Sequence, residues 1–92
     1  MIIVIKPKFK RDLSKIRDAE LRLKLDAKIS QIENAKSISQ ITGLKLLRTF
    51  HVHFRIKVET EKHQYRIGAI IRKETIWLVR FLPRNKVYQN FP

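Results

Sequence analysis

Residues 50–58 read Phe-His-Val-His-Phe-Arg-Ile-Lys-Val, an alternation of apolar and basic residues without a break. Phe50, Val52, Phe54, Ile56 and Val58 fall on one side, and His51, His53, Arg55 and Lys57 on the other. Successive side chains of a strand point to opposite faces, so the stretch is predicted to be a half-buried β-strand with one apolar and one basic face. A chain that contains it must provide a core for the first face and water or an anionic partner for the second. Solvation is the plain reading, because charged residues ordinarily line the wet side of a strand.

The remainder of the chain bears on that choice. The 92 residues suffice for one domain, spanning 1–92, and 43% hydrophobic content is ordinary for a folded one. Net charge is +13, and it is uneven. Residues 1–35 hold nine Lys/Arg against five Asp/Glu, whereas residues 36–92 hold twelve against three. A compact domain with such an excess repels itself, and an anionic partner relieves the repulsion. Nucleic acid or an acidic protein is the natural class. A membrane surface fits less well, since the basic half reads as strands rather than as an amphipathic helix. The absence of cysteine removes disulfides, thiolate zinc sites and cysteine nucleophiles, and it suits a reducing cytoplasm. No apolar run approaches the roughly 20 residues of a membrane helix, and the short opening run lacks the features of a signal peptide, so a cytoplasmic location is expected.

In chain order, residues 2–5 (Ile-Ile-Val-Ile) are predicted to be a strand that Pro7 ends. Phe9, Leu13 and Ile16 have helical spacing and predict a helix over 8–17. Asp18 is the expected N-cap of a second helix reaching about Ala35, with Leu21, Leu25, Ile29 and Ile32 as its buried stripe. This hairpin reads as scaffold. Residues 37–47 are expected to be a connector that Gly43 breaks, with Leu44, Leu46 and Leu47 tucked under a sheet. After the 50–58 strand, 59–63 make a polar tip and 64–72 a second strand, in which Gly68 beside Arg66 leaves room for a ligand or another backbone. Residues 75–82 are apolar on both faces except for Arg80, as in a covered central strand, and 85–91 form a short final helix or strand. The expected fold is therefore α+β: an N-terminal strand, a helix hairpin, and a three-stranded antiparallel meander forming one small sheet with the helices packed on it.

The outward residues of the two paired strands are His51, His53, Arg55, Lys57 and Arg66, joined by Arg84 and Tyr88 past the central strand. Arginines and lysines gathered at cross-strand distances suit phosphate, and a tyrosine beside them can stack on a base. Glu59 at the tip is the one acid on these strands expected to face the same way. A two-metal nuclease needs carboxylates and is excluded. Metal-free RNA cleavage needs only a base for the ribose 2′-OH, cations for the pentacovalent dianion, and an acid for the departing 5′-oxygen. Lys, Arg, His and Tyr can divide those tasks, and no cofactor is called for.

These residues resemble the RelE/ParE superfamily of toxins from type II toxin–antitoxin pairs, and its RelE-like branch in particular. The run Ile3-Val4-Ile5-Lys6-Pro7-Lys8-Phe9-Lys10-Arg11-Asp12-Leu13 is similar to the family's first strand and helix start. Gly43-Leu44-Lys45-x-Leu47 resembles its connector, and Phe54-Arg55-Ile56-Lys57-Val58 and Tyr65-Arg66-Ile67 resemble its two basic strands. Arg84-x-x-x-Tyr88 resembles its closing motif. The resemblance implies an endoribonuclease that cuts mRNA, usually on the ribosome, and is held inactive by an acidic antitoxin. It places Lys57, Arg66, Arg84 and Tyr88 in catalysis, with Lys57 as general base and Arg66 stabilising the transition state. Arg55, with His53, His51 and Lys86, is expected to bind substrate. Three departures accompany it. The 59–64 hairpin is longer than the family's turn, Lys86 stands where an acid is common, and Leu82-Pro83 replaces a Gly-His or Gly-Lys pair. Two other readings keep the fold and drop the chemistry: a ParE-like inhibitor of DNA gyrase, and a non-catalytic RNA-binding module.

Overall fold

The computed structural model describes residues 1–48 and 51–92. The elements are β1 (Ile2–Ile5), α1 (Pro7–Ser14), α2 (Ala19–Asn34), a single 3-10 turn (Ile38–Gln40), β2 (Leu44–Leu46), β3 (His53–Glu59), β4 (Gln64–Arg72), β5 (Thr75–Pro83) and α3 (Arg84–Asn90). The class is α+β as expected, but the sheet is larger than a three-stranded meander. It has five strands in the order β1-β5-β4-β3-β2. The meander β3-β4-β5 is antiparallel, β1 pairs parallel with β5, and β2 pairs antiparallel with β3, so the sheet is mixed.

Local chemistry explains the boundaries. Pro7 occupies the first turn of α1, where its missing N–H costs nothing. The helix stops at Ser14, two residues before Ile16, the last of its apolar spacing. Asp18 caps α2 as anticipated, its Oδ1 accepting from the Leu21 N–H at 2.9 Å. At the far end of α2 the amino group of Met1 donates to the carbonyls of Ile32, Glu33 and Ala35, where a helix's last carbonyls run short of donors.

The expected connector is instead an edge strand. Gly43, at φ +75, turns the chain so that its carbonyl accepts from the Lys57 N–H, and Leu44–Leu46 continue that ladder. Leu46 is consequently exposed on the edge rather than tucked under the sheet, whereas Leu47 is buried. The basic strand begins at His53, with His51 and Val52 in the turn before it; its expected start at Phe50 lies outside the described residues.

Helices α1 and α2 cover one face of the sheet. Phe9, Leu21, Leu25 and Ile32 pack there against Phe54, Ile56, Val58, Ile67, Ala69, Ile76, Leu78 and Phe81. Helix α3 covers part of the other face through Val87 and Phe91, against Leu47, Val79 and Leu82. The later part of β5 is thus covered on both faces, as its apolar run implies, whereas Trp77 nearer its start stays half-buried on the outer face. Its Arg80 has a partner. Beyond Leu78 strand β1 no longer pairs with β5, and Asp12 of α1 takes over that edge. Asp12 Oδ2 accepts from the Phe81 N–H at 2.9 Å and Arg80 Nε at 2.8 Å, and Oδ1 accepts from Arg80 Nη2 at 3.1 Å. No helix among the described residues is long and apolar enough to cross a membrane.

Candidate nucleic-acid interface

The β3–β4 register decides which cations meet. Lys57 pairs with Arg66, Arg55 with Gly68, and His53 with Ile70, so Arg55, Lys57 and Arg66 share the face away from α1 and α2. On the other side of β3, Lys45 of β2 pairs with Arg55 and extends the same face. Helix α3 then crosses the sheet here. Gly68 is the reason it can: a Cβ at that position would lie 2.6 Å from the Phe91 ring. The space expected beside Arg66 is therefore filled by the protein's own Phe91, whose ring also lies 5.5 Å from that of His53.

With Phe91 and Val87 buried, the i, i+4 pair Arg84 and Tyr88 projects over the cations of β3. The Arg55 guanidinium carbon sits 4.1 Å from the Tyr88 ring centroid, a cation–π contact. From the other side Arg84 Nε donates to Tyr88 Oη at 3.0 Å. That hydrogen bond is the leading cause that holds the Tyr88 phenol below its ordinary pKa. The positive charges of Arg84, Arg55 and Arg66 act in the same direction, and partial burial opposes them. Residues far apart in sequence thus form one cationic, aromatic cluster.

The other predicted site residues are placed as follows. Lys57 is exposed beside Arg66. Arg66 is not a free guanidinium: its Nη1 donates to Glu59 Oε2 and to the Tyr65 carbonyl, each at 2.9 Å. His53 stacks near Phe91, and His51 is exposed in the turn before β3. Lys86 lies on a different side of α3 from Arg84 and Tyr88, lining a depression with Asp12, Lys15, Arg80 and Asn90. A groove of about 420 Å³, bounded by Lys45, Arg48, Arg55, Tyr88, Phe91 and Pro92, adjoins the cluster.

Sequence reading assigned no role to Lys45, Phe91 or Glu59. The alternation Leu44-Lys45-Leu46 carried the signal for Lys45, but three residues are too few for a period to stand out. Chemically the face can hold a phosphodiester by bidentate arginine contacts and surround a developing dianion with fixed positive charge.

No protein-family model and no curated protein matches the chain. Among solved structures, it is similar to a chain of the RelB–RelE antitoxin–toxin complex from Methanococcus jannaschii. The two share 25% sequence identity and superpose with a TM-score of 0.75, over 97% of this chain and 99% of the other. The chain has the fold of a RelE-like toxin.

Proposed function

We propose that this protein is the toxin of a toxin–antitoxin pair and that it acts as a metal-independent endoribonuclease on mRNA at the ribosome. The observation that supports this best is the convergence of Arg55, Arg84 and Tyr88 over the face that holds Lys57 and Arg66. In the reaction the 2′-oxygen attacks its adjacent phosphorus, the bond from phosphorus to the 5′-oxygen breaks, and a 2′,3′-cyclic phosphate and a 5′-hydroxyl result. Lys57 takes the 2′ proton. Arg66 faces the charge that builds on the phosphoryl oxygens, and Arg55 and Arg84 hold flanking phosphates. Tyr88 returns a proton to the 5′-oxygen, and a phenol with a lowered pKa is the better donor.

The partner in the cell is an acidic antitoxin, which offsets the +13 charge and covers the cationic face. The test is primer extension on an mRNA in translating ribosomes, with wild type beside Arg66→Ala. Cuts by the wild type that fall by about 10²–10³-fold in the variant are expected. No cuts, with translation undisturbed, would sink the nuclease reading, and a gyrase supercoiling assay would then test the ParE-like one.

A further inference from the structure

Glu59 closes β3 on the same outward face as Arg55 and Lys57. Its cross-strand partner is Gln64, so Arg66 lies on the diagonal, two residues further along β4. The pair is short at 2.9 Å and largely withdrawn from water, with 12% of the Arg66 side chain and 31% of the Glu59 side chain exposed. The tip behind Glu59 is itself fixed. Thr60 N–H donates to the His63 carbonyl, and Thr60 Oγ1 accepts from the N–H groups of Lys62 and His63. Directly opposite Arg66 stands Lys57. Like charges facing each other across a ladder repel, so a counter-charge bonded to the guanidinium offsets that repulsion. Both hydrogen bonds of Arg66 run from Nη1. A guanidinium has five N–H donors, and those on Nε and Nη2 form the edge that suits a phosphate.

We infer that Glu59 is a positioning residue of the phosphate site: it clamps Arg66 through Nη1 beside Lys57 and leaves Nε and Nη2 to meet the scissile phosphate. The clamp rests on the Glu59–Arg66 geometry, and its effect on cleavage rests on the ribonuclease reading above. Glu59 acts through Arg66 and does not touch the reacting atoms. Two other roles for a carboxylate here leave opposite signatures. One that merely competed with phosphate for Arg66 would weaken RNA binding, and one that took the 2′ proton would be required in its ionised form.

The experiment compares wild type, Glu59→Ala and Glu59→Gln, each also in an Arg66→Ala background. Single-turnover cleavage of mRNA on programmed ribosomes is followed against toxin concentration and pH. In parallel, heteronuclear NMR follows the Arg66 Nε–H resonance, identified by its loss in Arg66→Ala. Glu59→Ala is expected to lower the maximal rate about tenfold, with the half-saturating concentration changed less than about twofold. Glu59→Gln, whose amide oxygen still accepts from Nη1, is expected to stay within about threefold of wild type. Neither change has a further effect once Arg66 is alanine, and only Glu59→Ala moves the Arg66 resonance to the position of a free arginine.

Tighter RNA binding at an unchanged rate in Glu59→Ala would overturn the inference in favour of competition. Equal inactivity of the Gln and Ala variants, with the acid limb of the pH profile gone, would overturn it in favour of a base. An equal loss in the Arg66→Ala background would reduce Glu59 to a structural residue. If wild type cuts nothing while its Arg66 resonance still depends on Glu59, the nuclease reading falls and the clamp stands. A free-arginine resonance in wild type overturns the clamp whatever the cleavage result.

Discussion

The two faces of the sheet are built to different standards. Under α1 and α2 lies a continuous core in which Phe9, Leu25, Ile32, Ile56, Ile67, Ala69, Ile76 and Leu78 are wholly buried. On the opposite face a seven-residue helix is anchored by Val87 and Phe91 on Leu47, Val79 and Leu82. A helix that short is not stable alone, so α3 is helical only while docked. Yet α3 supplies Arg84 and Tyr88 to the cationic cluster. The fold is secured on one side of the sheet and the candidate chemistry on the other, so each can be damaged without the other.

Removing Asp12 should have the largest effect on that contrast, on the well-packed side. Asp12→Ala leaves the Phe81 N–H without its acceptor and Arg80 without its counter-charge, which is expected to cost about 3 kcal/mol. Chemical denaturation would show it as a lower midpoint for the whole domain. Gly68→Ala should act on the other side, displacing the Phe91 ring at a cost of about 1–2 kcal/mol. Hydrogen exchange should accelerate across α3 while β4 and β5 stay protected; uniform loss of protection would show that the two faces are not separable.

A smaller and purely electrostatic effect concerns Tyr88. In an ultraviolet titration of the phenols, Arg84→Ala should move the Tyr88 midpoint upward, because the hydrogen bond that leads its lowering is gone. Smallest is the Asp18 cap. The Leu21 N–H first, and then His63, hold the Asp18 carboxyl below its ordinary pKa. A depressed carboxyl contributes stability above its unfolded pKa and loses it as pH falls through the folded value. Asp18→Asn should therefore lower stability slightly at neutral pH and flatten the profile towards acid, where wild type has already lost that contribution.

Much of this was legible from pattern. The alternation over Phe54–Val58 fixed which residues of β3 face outward, and the apolar run of β5 implied cover on both faces, which α3 supplies over Val79 and Leu82 but not over Trp77. The N-cap at Asp18 and the second strand over Gln64–Arg72 were read to the residue. What escaped depends on partners distant in sequence. Nothing local to Ile2–Ile5 says that it pairs parallel with Thr75–Leu78, since a β-branched run serves either direction. Gly68 announced a close approach but not that Phe91 would make it. Glu59 was visible as an acid on a basic face, while its bond to Arg66 depends on a diagonal that only the register supplies.

The parallel pairing of Ile2–Ile5 with Thr75–Leu78 also governs when the protein can exist at all. During synthesis the first strand emerges long before its neighbour, and it must wait through both helices and three strands with no edge to join. Such pairing between sequence-distant segments forms late and slowly. The cations of β3 and the tyrosine of α3 are brought to one place only once β5 has been inserted between β1 and β4. A chain lacking β5 therefore cannot assemble the cationic cluster.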